Sequence, residues 1–235
     1  MNDNEVMKYL DYTLLNHDIN DEDLINFCEN ANRHTPAAIC IFPEHIKTAQ
    51  KVLDSNIAIA ALVGSFPIGS NDCIEIEKEI FSAINLGADE IDIVLEPRNK
   101  DDYPNEIELK QLVTMRNASK GIPLKVIIET PLLSEKKIRA VTRMALSVGI
   151  DFVKTCTGKR GSCTEDDVKI LSYELMRHEL TFKEKLGMKI SGGINDRDKA
   201  IRFIELIEQE DLTIINRKRF RIGASSLIDN LSTTQ

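Results

Sequence analysis

Three ionisable residues stand inside runs that otherwise read as apolar strands. The stretch GIDFVKTCTGK, Gly149 to Lys159, ends a short apolar run with an amine, Lys154. LGMKISGG sets a second amine, Lys189, in another such run just before a Gly-Gly turn. GADEIDIV embeds a carboxylate, Asp92, in a third. Lysine is almost never fully buried without a partner. A free lysine has a pKa of about 10.4, so only ~0.04% is neutral amine at pH 7. A second cation within about 4–6 Å, together with loss of water, lowers that value. Bringing it to about 7 takes roughly 4–5 kcal/mol. Such an amine forms a Schiff base with a carbonyl. Asp92 could then move protons between water, carbinolamine and enamine. The competing reading is a buried salt-bridge cluster. That reading weakens when the charges come from three strands, because burying charge without a use for it is costly.

The elements that must position these groups follow from periodicity. Short β-branched runs occur at Ala37–Ile41, Ile57–Val63, Glu90–Leu95, Lys125–Ile128, Ile150–Val153, Met188–Ile190 and Phe220–Ile222, with a weaker one at Tyr9–Leu14. Continuous apolar runs suit parallel strands covered on both faces. Between them lie helical faces, such as Ile76, Ile80, Ala83 and Ile84, or Ala200, Phe203, Ile204 and Ile207. Eight strand candidates separated by helices predict an α/β fold, a single (β/α)8 barrel over residues 1–235. An open doubly wound sheet would normally use fewer strands. GADEID and GIDFVK share a Gly-x-Asp-x-apolar frame, in which Asp92 and Lys154 occupy one slot. Side chains alternate along a strand. If Val153 faces the helices, Lys154 faces the barrel interior, and Asp92 points inward by the same count.

SGGIND (Ser191–Asp196) and GASS (Gly223–Ser226) follow the seventh and eighth predicted strands. Loops in those two places often hold a phosphate in such barrels, through backbone N–H groups and a helix N-terminus. Two ordinary glycine turns are the plainer reading of either alone. GSFPIGS (Gly64–Ser70) lacks the Lys-Ser/Thr of a nucleotide loop, and Gly64 is expected to end the third strand. His17, His34, His45 and His178 share no ligand spacing, so no metal site is expected, and most are expected at the surface. Cys40, near the end of the second strand, reads as a small core residue. No glycine-flanked serine elbow is present.

Composition narrows the class. The chain has 235 residues and a net charge of −8, which argues against a nucleic-acid binder. NRKRF at Asn216–Phe220 is too short to reverse that and is expected to be a solvated turn. Five cysteines without a CxxC fit a reduced, cytoplasmic setting. The N-terminus carries no signal-like apolar segment, and the longest apolar run is too short to cross a bilayer. No membrane partner is expected.

LDYTLL, AAICIFP, GSFPIG, GADEIDIV, KVIIET, DFVKTCTGK, KISGGI and FRIGASSL, in this order over nearly the full chain, resemble the deoxyribose-phosphate aldolases. These are class I aldolases with a (β/α)8 fold. The resemblance implies that Lys154 is the Schiff-base lysine, Lys189 the second active-site lysine and Asp92 the proton relay. Asp11 and Cys40 match positions lining the pocket. Thr157 and Lys159 match residues approaching the substrate. Gly192, Gly193, Gly223, Ser225 and Ser226 match the phosphate-binding turns. The implied reaction is reversible cleavage of 2-deoxy-D-ribose 5-phosphate to acetaldehyde and D-glyceraldehyde 3-phosphate, with no cofactor. Members are often dimers, so a homodimer is an expectation. Three rival readings are an imine-forming aldolase for another phosphorylated sugar, a barrel that binds phosphosugars without turnover, and a metal-dependent aldolase, for which the sequence offers no ligand cluster. The chain departs from the family pattern at several places. Tyr12 replaces a frequent histidine, and Cys156 replaces the usual serine. Asn195 stands where some members have a basic residue, leaving Lys159 or Arg160 to compensate. Glu96 is expected near the mouth. The ending NLSTTQ offers no tyrosine to assist proton transfer.

Overall fold

A computed structural model of the protein describes residues 1–96 and 105–232. Its strands are β1 Leu10–Thr13, β2 Ala38–Ile41, β3 Ala58–Val63, β4 Glu90–Val94, β5 Leu124–Ile127, β6 Phe152–Lys154, β7 Gly187–Ser191 and β8 Phe220–Ala224. They form a closed parallel barrel in sequence order, with β1 pairing β8. The helices are α1 Asp3–Met7, α2 Asp21–His34, α3 Ile46–Ala49, α4 Cys73–Leu86, α5 Glu106–Ala118, α6 Glu135–Ser147, α7 Glu165–Phe182, α8 Arg197–Glu210 and α9 Leu227–Ser232. The (β/α)8 expectation is met, and each predicted strand is found within two residues of its expected start.

Local chemistry fixes the helix starts. Asn20, Asp72, Asn105, Ser134, Thr164 and Asp196 each accept a hydrogen bond from a backbone N–H of the first turn they precede. Such caps satisfy donors that the helix itself cannot use. Ile76, Ile80 and Ala83 of α4 are buried, as are Ala200, Phe203, Ile204 and Ile207 of α8. Together with the outward residues of the strands they build a continuous apolar sleeve between barrel and helices.

The short internal repeat has a structural meaning. Asp89 Oδ2 accepts Ile59 N–H of β3 at 2.9 Å, and Asp151 Oδ2 accepts Leu124 N–H of β5 at 2.8 Å. In both units the aspartate ties the coming strand to the one before it. The glycines ahead of these aspartates, Gly87 and Gly149, have φ of 102° and 81°. That left-handed backbone favours glycine and ends the preceding helix.

Candidate active site

The strand register sets charged residues opposite one another on neighbouring strands. Asp92 sits opposite Lys125, Lys154 opposite Lys189, and Lys189 opposite Arg221. Lys154 is the last residue of β6, one step before the loop. Alternation then sends Asp92, Lys154 and Lys189 into the barrel, where all three are buried.

Asp92 is the hub. Its Oδ2 accepts from Lys154 Nζ at 2.7 Å and from Lys189 Nζ at 2.8 Å, and its Oδ1 accepts from Lys125 Nζ at 2.9 Å. Because Lys154 and Lys189 share one oxygen, at 2.7 and 2.8 Å, their amines lie within about 5.5 Å of each other. Lys189 also donates to Asp11 Oδ2 at 2.6 Å. Below this layer, Glu90 bonds Lys125 at 2.5 Å and Arg221 at 2.9 Å, and Arg221 approaches Asp11 at 3.3 Å.

Burial and charge oppose each other here, and charge prevails. Burial alone would raise the pKa of Asp92, but Lys125, Lys154 and Lys189 hold it well below the ordinary carboxylate range. Burial likewise works against Asp11, which Lys189, Lys125 and Arg221 keep below its usual value. Lys189 loses hydration, yet Asp11 and Asp92 hold its pKa above that of a free lysine. Lys125 is likewise held well above it, with desolvation overcome by Asp92, Glu90 and Asp11. The Cys40 thiol, 3.7 Å from Asp92 Oδ2, is pushed up to about 11 by burial and then by that carboxylate.

A cavity of about 330 Å³ lies at the C-terminal mouth of the barrel. Lys154, Thr157, Lys159, Gly192, Gly193, Gly223 and Ser225 line it. Its other walls include Asn195 of the Gly-Gly loop and Thr13, Phe66 and Ser162, which no sequence motif marked as pocket residues. Asp11 and Cys40 are fully buried and, like Asp92 and Lys189, are not among the residues that line this cavity. Their strand parity points them into the charged network instead. Ser226 also stands off the cavity wall, with its hydroxyl donating to Asn195 Oδ1 at 3.4 Å.

The loop after β6 is stitched to the loop after β7. Thr155 Oγ1 donates to Ser191 O at 3.0 Å and accepts from Ser191 N at 2.9 Å. Cys156 Sγ donates to Ser191 O at 2.9 Å, so the thiol serves as a local donor between the two loops. Burial pushes its pKa up to about 11 and keeps it a thiol. Glu129, at the end of β5, has φ of 57° and is fully buried, and its Oε1 accepts Thr157 N–H at 3.1 Å. Such a backbone is uncommon for a residue with a side chain and clusters at functional sites. Gly223 has a packing reason. A Cβ there would stand 2.9 Å from Lys189 Cε and 3.0 Å from Ser191 Cβ.

The cation near the Gly-Gly turn comes from an unexpected place. Lys199, in the first turn of α8, donates to Gly193 O at 2.7 Å. Lys159 lines the cavity as expected, whereas Arg160 donates to Ile68 O at 3.4 Å, toward the loop after β3. Glu96 is not a cavity wall, and its backbone lies against Gly69. Residues 97–100 of the LEPRNK stretch and residues 233–235 of the tail lie outside the described residues. His45 and His178 are buried rather than superficial, as is Arg219 of the NRKRF turn. Among the described residues no helix is long and apolar enough to cross a membrane.

The missed charged groups, Lys125, Glu90 and Arg221, obey a signal already in the sequence. Glu90 is two residues before Asp92, and all three sit at inward positions of their strands.

Fold and site together define a (β/α)8-barrel enzyme built around a lysine–carboxylate centre. Residues 5–210 match the family model described as DeoC/LacD family aldolase. A protein of Finegoldia magna named deoxyribose-phosphate aldolase is 33% identical over 202 residues, covering 86% of this chain and 92% of that one. A solved aldolase named QR15 superposes with a TM-score of 0.78 at 27% identity, covering 97% of this chain and 95% of its own. A structure from Toxoplasma gondii described as a putative deoxyribose-phosphate aldolase reaches a TM-score of 0.88 at 20% identity, covering 98% and 93%, and shows the shared fold. The chain belongs to the DeoC/LacD family of aldolases.

Proposed function

We propose that this aldolase reversibly cleaves 2-deoxy-D-ribose 5-phosphate to acetaldehyde and D-glyceraldehyde 3-phosphate through a Schiff base on Lys154. One observation supports the choice of nucleophile above the rest. Three lysines bond Asp92, and among the described residues only Lys154 of the three also lines the cavity. Lys189 and Lys125 are sealed beneath it.

In the cleavage direction, Lys154 gives up its proton and attacks the open-chain aldehyde at C1. Loss of water leaves an iminium. The C2–C3 bond then breaks, its electron pair flows into the iminium to give an enamine, and the C3 hydroxyl proton departs as C3 becomes the new aldehyde. Protonation of the enamine and hydrolysis release acetaldehyde and restore the amine. Asp92, bonded to both amines through one oxygen, is the proton carrier in this scheme. Lys189 provides the fixed neighbouring charge. Gly192, Gly193, Gly223, Ser225 and Ser226 are read as the phosphate turns. Lys159 and Lys199 supply the cations that Asn195 does not. Thr157, fixed by Glu129, is read as a substrate contact. Asp11 and Cys40 shape the site from below.

We take residues 1–235 as one catalytic barrel working in the cytoplasm without metal or organic cofactor. We take its partner to be a phosphorylated sugar rather than nucleic acid or a membrane. A solved relative from Aeropyrum pernix is titled as a tetramer. We carry forward a homodimer for this chain, to be checked by light scattering. The substrate reading is tested by measuring acetaldehyde release from deoxyribose 5-phosphate, free deoxyribose and other phosphosugars. Preference for deoxyribose 5-phosphate supports the reading. Faster turnover of a different phosphosugar replaces the substrate, and no turnover of any by folded protein favours the binding barrel.

A further inference from the structure

The charged network reaches deeper than the imine scheme needs. Seven side chains from six strands are joined by direct ion pairs: Asp11, Glu90, Asp92, Lys125, Lys154, Lys189 and Arg221. All seven are buried. Three are acids and four are bases, so the fully ionised set carries one surplus positive charge. A buried charge that lacks a compensating partner is expensive. Losing a single proton neutralises the set, and Lys154 is the member of the set that lines the cavity, where a proton can leave.

Glu90, Lys125 and Arg221 touch neither the cavity nor Lys154 in any contact among the described residues. They do touch the groups that hold Lys154. Lys125 bonds Asp92 Oδ1, on the opposite oxygen from Lys154. Glu90 fixes Lys125 on one oxygen and Arg221 on the other. The guanidinium of Arg221 also lies 5.4 Å from the centre of the Phe152 ring, two residues before Lys154 on the same strand.

We propose that this lower layer is a positioning unit whose net charge sets how readily Lys154 becomes the free amine, so that neutralising Glu90 and neutralising Lys125 shift imine formation along the pH axis in opposite directions. The proposal rests on Lys154 being the imine-forming residue. Removing the charge of Glu90 leaves the set with two surplus positive charges and eases proton loss. Removing the charge of Lys125 leaves it neutral with Lys154 protonated, so that proton loss would create a buried negative charge. Every element facing Lys154 enters this sum. β1 brings Asp11, β4 brings Glu90 and Asp92, β5 brings Lys125, β7 brings Lys189 and β8 brings Arg221. Cys40 of β2 stays a neutral thiol, and β3 presents Ala60 and Leu62. Lys159 lies at the exposed rim and Glu129 under the loop, bonded to Thr157 N–H. Both are unchanged in the variants below, so they do not affect the direction of the shifts.

The test is the rate of cyanoborohydride trapping with acetaldehyde, followed from pH 5 to 9 with the adduct located by peptide mapping. Glu90→Gln, nearly isosteric, is expected to move the acid limb to lower pH by about one unit, roughly a tenfold faster trapping on that limb. Lys125→Met is expected to move it to higher pH by a similar amount. The double variant restores one surplus charge and is expected to return the limb toward its native position. Circular dichroism and thermal melting report folding separately. If Lys125→Met does not fold, Glu90→Gln decides alone: an acid shift supports the proposal and an unmoved limb overturns it. Shifts of the same sign in both single variants, or lowered stability with unmoved limbs, mean that the layer only holds the fold. Wild-type adduct on a residue other than Lys154 defeats the underlying reading instead, and is distinguishable because it needs no variant.

Discussion

The barrel interior has two unlike sides. On β2 and β3 the inward residues are Ala38, Cys40, Ala60 and Leu62, which form an apolar cluster separate from the helix sleeve. On β1 and β4–β8 the inward positions hold Asp11, Glu90, Asp92, Lys125, Lys154, Lys189 and Arg221. The same strand parity produced both. What differs is the use of the space. The apolar side offers one weak donor, the Cys40 thiol 3.7 Å from Asp92 Oδ2, and sets Leu62 directly opposite Asp92 in the register. The charged side must therefore largely satisfy itself, and Asp92 accepts hydrogen bonds from three ammonium groups. A low-dielectric wall beside paired charges strengthens each interaction and makes each unpaired charge costly.

That contrast can be broken most severely at its hub. Asp92→Asn would leave three buried amines around a neutral amide. The expected result is a loss of activity of at least about a thousandfold, with about 3–5 kcal/mol lost from stability. Steady-state rates and urea unfolding measure the two. Retained stability would mean that the amines find other partners, and the hub description would fail. The apolar side should answer differently. Leu62→Ala is expected to cost about 2–5 kcal/mol by leaving a cavity, while activity per folded molecule falls far less than in Asp92→Asn. Equal losses of activity in the two variants would erase the distinction between wall and network.

A smaller effect separates the sides by pH. Asp92 and Asp11 have folded pKa values below their unfolded ones. Their contribution to stability is therefore complete above the unfolded value of about 3.9 and is lost as pH falls through the lowered folded values. Lys125 and Lys189 are raised, so their contribution is complete below about 10.4 and is lost as pH rises through the folded values. The contribution of these four groups to unfolding free energy should be flat between about pH 5 and 9 and fall at both ends. Leu62→Ala should lower the whole curve without changing its shape. Stability that rises as pH falls below about 4 would contradict the directions assigned to Asp11 and Asp92.

Much of this was legible in the sequence. Continuous apolar runs marked the strands, and period-two alternation turned Asp92, Lys154 and Lys189 inward. The two glycine loops were placed in the correct two positions. The lower layer was not read, although Arg221 lies within a predicted strand and Glu90 and Lys125 each begin one. A charged residue at the start of a strand looks like a solvated end until the register shows what lies across from it. Sequence gives the face of a strand but not the depth at which neighbouring strands meet, so the bonds of Asp11 to Lys189 and of Cys40 to Asp92 were not legible either. Lys199 was missed because its relation to Gly193 depends on how the first turn of α8 folds back over the Gly-Gly turn. Cys156 shows the reverse case, a departure from the usual residue whose bond to Ser191 O only the folded loops reveal.

The central claim is that Lys154, among three buried lysines on one carboxylate, is the amine that forms the imine. The direct measurement is borohydride reduction of the wild-type protein with acetaldehyde, followed by peptide mass mapping. A reduced ethyl adduct on Lys154 is the expected result. An adduct on Lys189 or Lys125, or none on folded protein, would contradict it.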